Sequence, residues 1–77
     1  MGFCMDFFLK LELLVDSKVV TRMKKTFSQQ DRLLAIKHML EKVRENKDKN
    51  KDVKNLTAKA ELREVETGGL ISVYDDD

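Results

Sequence analysis

Between Gly2 and Gly68 this chain contains neither proline nor glycine. A backbone that lacks both has no residue that breaks a helix and none that takes left-handed angles at no steric cost, so long uninterrupted elements are expected. Lys, Glu, Leu and Met, all good helix formers, recur through the interior, and 38% of all residues are charged. These features predict a mainly α fold, a small domain of two to three helices with a short C-terminal strand, completed by oligomerisation.

The strongest predicted element runs from Ser28 to Glu45. Ser28 and Asp31 form a Ser-x-x-Asp pattern, in which the serine hydroxyl can accept a free backbone N–H and the acid suits the positive end of the helix dipole. Leu33, Ile36, Leu40 and Val43 follow at spacings of three, four and three, which places them on one helical stripe that Leu34 and Met39 widen. The same positions fit a heptad seam, but only for two heptads, so the stripe reads as one helix of a bundle. Lys37 with Glu41 and Glu45 with Lys49 add opposite charges four residues apart. From Asn46 to Lys54 only Val53 is apolar, so 46–54 is expected to be a polar linker or fraying helix end.

Leu56, Ala58, Ala60, Leu62 and Val65 suggest a second helix with Ala58, Leu62 and Val65 on one face, stopped by Gly68 and Gly69. A competing reading makes those glycines the loop of a hairpin returning through Leu70 to Tyr74. In a two-residue register it would put Glu64 and Glu66 beside Ile71 and Val73, which favours the helix. Leu70 to Tyr74, rich in β-branched and aromatic residues, is the expected short strand. Near the N-terminus, Leu9, Leu11, Leu13 and Val15 alternate with Lys10 and Glu12 as in a strand, whereas Phe3, Phe7, Leu11 and Leu14 line one face of a helix. The helix is preferred; as a strand, its natural partner would be Leu70 to Tyr74. Met23 to Thr26 resembles a bacterial translation start, so the first 22 residues could be an optional extension. The candidate core is Leu9, Leu11, Leu14, Val20, Phe27, Leu33, Ile36, Leu40, Val43, Leu62, Val65 and Ile71.

At 77 residues the chain is expected to be one small domain, and so short a chain buries too little surface for more than marginal stability. Cys4 is its single cysteine, which rules out an internal disulfide and suits a reducing, cytoplasmic setting. His38 is the only histidine, so a structural zinc site lacks ligands and no metal or other cofactor is expected. The apolar run from Phe3 to Val15 is interrupted by Asp6, Lys10 and Glu12, so no membrane span is expected. Met1, Gly2 and Cys4 suggest a lipidation start, but Asp6 stands where that motif wants Ser or Thr.

Catalytic residues are not expected: Cys4 and His38 could be imagined as thiol and base, but nothing marks an orienting partner for them. Charge is more informative. Residues 18 to 54 hold twelve Lys and Arg against five acids, while 1 to 17 and 55 to 77 are net acidic. A basic helix including Lys24, Lys25, Arg32 and Lys37 would contact phosphates or an acidic partner. Thr26 to Leu33 loosely resembles the opening helix of transposase-type helix-turn-helix domains, but the polar run after Glu45 takes the place of a recognition helix. Asp75, Asp76 and Asp77 form an acidic tail whose plainer reading is a frayed, solubilising terminus; as a functional element it would dock on a partner's basic groove, imitate phosphate or fold back on the basic middle.

Twelve core candidates are few for a monomer. The expected function is therefore that of a non-enzymatic protein-binding regulator or inhibitor, of the bacterial or phage type in size and composition. It would act by occupying a site on an unidentified protein partner, as a homodimer sharing the stripe of Leu33, Ile36, Leu40 and Val43. The alternative is a dimeric DNA-binding transcriptional regulator using the basic middle.

Overall fold

Alternation of apolar and polar residues, more than helix propensity, decides the architecture. In a computed structural model, which describes residues 5–76, the order is β1 (Met5–Val15), β2 (Lys18–Gln29), α1 (Arg32–Lys49), β3 (Leu56–Glu64) and β4 (Leu70–Asp75). The strands form one antiparallel sheet in the order β2-β1-β3-β4. The domain is thus mainly β, two hairpins joined by a helix, and the expectation of a mainly α domain is overturned. Phe3 and Cys4 of the expected N-terminal helix, and Asp77 of the tail, lie outside the described residues.

β1 is the central strand, not a helix. As a helix it would scatter Leu9 and Leu13 away from Phe7 and Leu11. As a strand it turns Phe7, Leu9, Leu11 and Leu13 to one face, where all four are buried, and Lys10 and Glu12 to the other. Its partners are β2 and β3 rather than Leu70 to Tyr74. β3 obeys the same period: Ala58, Ala60 and Leu62 are buried between Thr57, Lys59, Glu61 and Arg63. Its Ala, Lys, Glu and Leu favour a helix in isolation, but the β1 partner overrides that weak preference. The first 22 residues therefore contain the centre of the sheet, not an accessory to it.

The hairpin between β3 and β4 escapes the objection raised by a two-residue loop. Its loop spans 65–69, and a register shift between Leu62 and Arg63 leaves Ile71 unpaired, so Leu62 pairs with Ser72 and Ala60 with Tyr74. Ile71 and Tyr74 then reach the core side. Gly68 (φ 70) supplies the left-handed residue, and its N–H donates to the Glu64 carbonyl at 2.8 Å.

α1 starts four residues later than expected. Asp31, not Ser28, is its N-cap, with the Leu34 N–H donating to Asp31 Oδ1 at 2.9 Å. Ser28 remains in β2 and donates to Asp6 Oδ1 at 2.6 Å. The helix continues through Lys49 and lies chiefly over β3, where Ala58 and Ala60 offer low relief. Ala35, Met39 and Val43 face the sheet. Of the expected core, Leu9, Leu11, Leu14, Val43 and Leu62 are buried and Phe27, Ile36 and Ile71 pack against it. Val20, Leu33, Leu40 and Val65 are exposed, while Phe7, Leu13, Ala35, Met39, Ala58 and Ala60 take their places.

The opposite face of the sheet carries its charges in register. One row across the four strands reads Arg22, Glu12, Lys59 and Asp75, alternating in sign, with Arg22 Nε 3.1 Å from Glu12 and Lys59 Nζ 3.9 Å from Asp75. Cross-strand opposite charges of this kind favour the observed pairing, and the face stays in water.

Candidate functional site

Three places combine exposed or paired functional groups. The first is the outer flank of α1. The expected stripe splits because a helix lying over a sheet buries one arc, and that arc centres on Ala35, Met39 and Val43. Val43 is consumed by the core and Ile36 is partly so, while Leu33 and Leu40 are 78% and 45% exposed. Leu40 and Val43 also line a shallow cleft between α1 and β4, with Arg44, Lys47, Asp48 and Tyr74.

The second place closes that cleft. Asp76 accepts hydrogen bonds from Lys47 Nζ, from the Tyr74 hydroxyl at 2.5 Å and from the Ala58 N–H at 2.9 Å. Its other contact with Lys47, through Oδ2, is 2.9 Å. Burial opposes the charged form of Asp76, but the hydrogen bonds from Tyr74, Lys47 and Ala58 outweigh it and hold the carboxyl below the ordinary aspartate range. The same carboxylate, by its hydrogen bond, raises Lys47 against the opposing effect of burial. It also raises Tyr74, with burial assisting. Asp76 thus folds back on the basic middle of its own chain, and Asp75 lies beside Lys59. Strand periodicity puts Tyr74 and Asp76, two residues apart, on one side, but does not place Lys47 or Ala58 beside them.

The third place is β2, which was expected to contribute to a basic helix. Lys24 and Lys25 are consecutive in a strand and so point to opposite faces. Lys24 stands opposite Lys10 on the open face, and Lys25 opposite Leu9 on the helix side. Arg32, at the start of α1, is 3.4 Å from Glu64, while Lys37 is exposed on the helix. The four cations therefore do not line a single surface.

His38 faces β2, its ring centroid 4.3 Å from that of Phe27. Burial, then the nearby Lys25 and Lys42, lower its pKa against the opposing pull of Glu41 and Glu45. Its Nε2 is buried without a hydrogen-bond partner among the described residues, and the ring lies tilted at 37° against that of Phe27. Cys4, imagined as its thiol partner, lies outside the described residues. Among the described residues no three His, Cys, Asp or Glu side chains group as a metal site, and no helix is long and apolar enough to cross a membrane. No family model, curated protein or solved structure matches the chain.

Proposed function

We propose that this protein is a small binding protein, a regulator or inhibitor that occupies a site on a partner protein and works as a homodimer joined through the outer flank of α1. The observation that supports this reading is the surplus of apolar side chains on that helix. Ala35, Met39 and Val43 already fill the space above the sheet, yet Leu33 and Leu40 stand in water one seven-residue step apart, with Ile36 between them. Covering an exposed leucine gains about 1.5 to 3 kcal/mol when it is fully buried, so joining these surfaces provides a substantial drive. The spacing of three, four and three is a palindrome. Two copies of α1 crossing antiparallel about a two-fold axis set Ile36 against Leu40 of the second copy, while Val43, already buried against the sheet, leaves Leu33 as the outer apolar residue of the seam.

Sedimentation velocity across a concentration series tests the reading. The protein should sediment as a dimer, and Leu40→Asp, at an exposed position, should convert it to a folded monomer with an unchanged circular dichroism spectrum. A wild-type chain that is monomeric at all concentrations, or a dimer indifferent to both Leu33→Asp and Leu40→Asp, would overturn it.

A further inference from the structure

The outer edge of β2 is the longest unpaired stretch of backbone in the sheet. β2 has twelve residues and ends the strand order, and among the described residues nothing pairs with its far side. The opposite edge, β4, has six. Such an edge offers a row of N–H and C=O groups to any extended chain that can approach it.

Charge determines which chain that is. β2 contains Lys18, Arg22, Lys24 and Lys25 and no acid. Arg22 is neutralised by Glu12 in its own sheet, whereas Lys24 and Lys25 have no ion pair among the described residues. Lys24 has Lys10 as its cross-strand neighbour, which adds to the positive charge on that side. Two β2 edges meeting antiparallel would bring these cations against one another, and like charges set opposite in a sheet are destabilising. The edge therefore repels a second copy and attracts an acidic strand.

We infer that β2 receives an extended acidic segment of a partner protein by strand addition. The periodicity of β2 defines the segment further. Phe27, Lys25 and Met23 face the helix side in alternation, Phe27 and Met23 only partly buried, and Lys24 faces the open side. An antiparallel partner would thus carry an apolar residue opposite Phe27, two adjacent acids opposite Lys25 and Lys24, and an apolar residue opposite Met23. This names the partner chemistry for the binding role proposed above and rests on that role. The two tests use separate residues, so either can fail alone.

The probe is a capped, fluorescently labelled peptide, Thr-Val-Thr-Glu-Glu-Val-Thr, titrated with the full chain at about 50 mM salt, where charge attraction is little screened. Fluorescence anisotropy should show saturable binding, and amide resonances of β2 should shift more than those of β4. Lys24→Glu with Lys25→Glu should weaken binding at least about tenfold while leaving the melting curve and the sedimentation behaviour intact. A peptide of the same charge, N-methylated on alternate amides along the edge it presents to β2, should lose binding, because strand addition needs those donors. Equal binding of the methylated peptide would reduce the interaction to unspecific charge attraction and overturn the inference, as would no saturable binding at all. Tighter binding of a short DNA duplex than of the peptide, abolished by the same double substitution, would overturn it in favour of a nucleic-acid surface.

Discussion

The two hairpins that flank α1 solve the same problem by different means. The β3–β4 hairpin is short, turns through Gly68 and fastens its outer strand with side chains: Tyr74, Asp76 and Lys47 tie β4 to the helix, and Asp76 also accepts the Ala58 N–H. The β1–β2 hairpin is long, turns without glycine at Asp16 and Ser17, and leaves most of β2 in water. Beyond its backbone pairing with β1, its outer strand is anchored by Phe27, which contacts Phe7 (centroids 5.9 Å apart) and His38, with Met23 packed nearby, and by the exposed Arg22–Glu12 and Ser28–Asp6 contacts. One edge is tied to the helix by polar contacts; the other reaches the helix through aromatic rings, and its far side remains available along its length.

Breaking the anchor should have the largest effect. Phe27→Ala removes a partly buried ring shared by β1, β2 and α1 and should cost about 2 to 3 kcal/mol, below the range for a fully buried phenylalanine. Urea denaturation followed by circular dichroism measures it. A loss under about 0.5 kcal/mol, the scale of ordinary surface changes, would mean that β2 is held by its backbone pairing with β1 alone.

Loosening the closed edge should cost less. Asp76→Ala leaves Lys47, the Tyr74 hydroxyl and the Ala58 N–H without their acceptor, at about 2 kcal/mol. The acid dependence has a definite sign. The folded carboxyl titrates below its ordinary value of 3.8, so its contribution is fully present above that pH and is lost as pH falls through the lowered folded value. Wild type and Asp76→Ala should therefore differ most near neutrality and converge in strong acid. A constant difference across that range would mean that Asp76 acts through shape rather than charge.

The contrast between the hairpins also explains what could be read from the sequence. The helix was legible because Leu33, Ile36, Met39, Leu40 and Val43 recur at helical spacing over several turns, although Asp31 rather than Ser28 caps it. The alternation in β1 was visible and was outweighed by an equally regular helical face, since a run of leucines, phenylalanines and charges satisfies both periods. β3 was hidden more deeply. Its inward residues include two alanines, the best helix formers, and only pairing with β1 makes them a core face. The stripe of Leu33, Ile36, Leu40 and Val43 was legible as a stripe but not in its division, because which arc of a helix is buried depends on a sheet in which β1 and β3 were themselves read as helices. The Asp76 cluster needed the position of β4 relative to α1, which no local pattern encodes.

The turn of the long hairpin was the least legible feature and offers the finest test of the comparison. Val15 pairs with Lys18, so Asp16 and Ser17 alone make the connection, with φ of 52° and 67°. Positive φ at both central residues is the type I′ arrangement, whose twist matches that of paired strands and whose usual sequences end in glycine. Asp16 is compensated: its carboxylate accepts from Asn55 Nδ2 at 2.8 Å, and its N–H donates to the Asn55 carbonyl at 3.4 Å. Ser17 has neither contact, so its left-handed angle is strain without return. Ser17→Gly removes that strain but adds backbone freedom to the unfolded chain, and the balance should stabilise the protein by about 0.5 to 1 kcal/mol. Asp16→Gly, which relieves the same kind of angle but sacrifices the hydrogen bond from the Asn55 side chain while keeping the backbone one, should gain less or lose. Thermal melts of the two variants decide the matter: equal gains would mean that the Asn55 link contributes nothing, and a loss in Ser17→Gly would mean that the long hairpin, like the short one, depends on side-chain contacts at its turn.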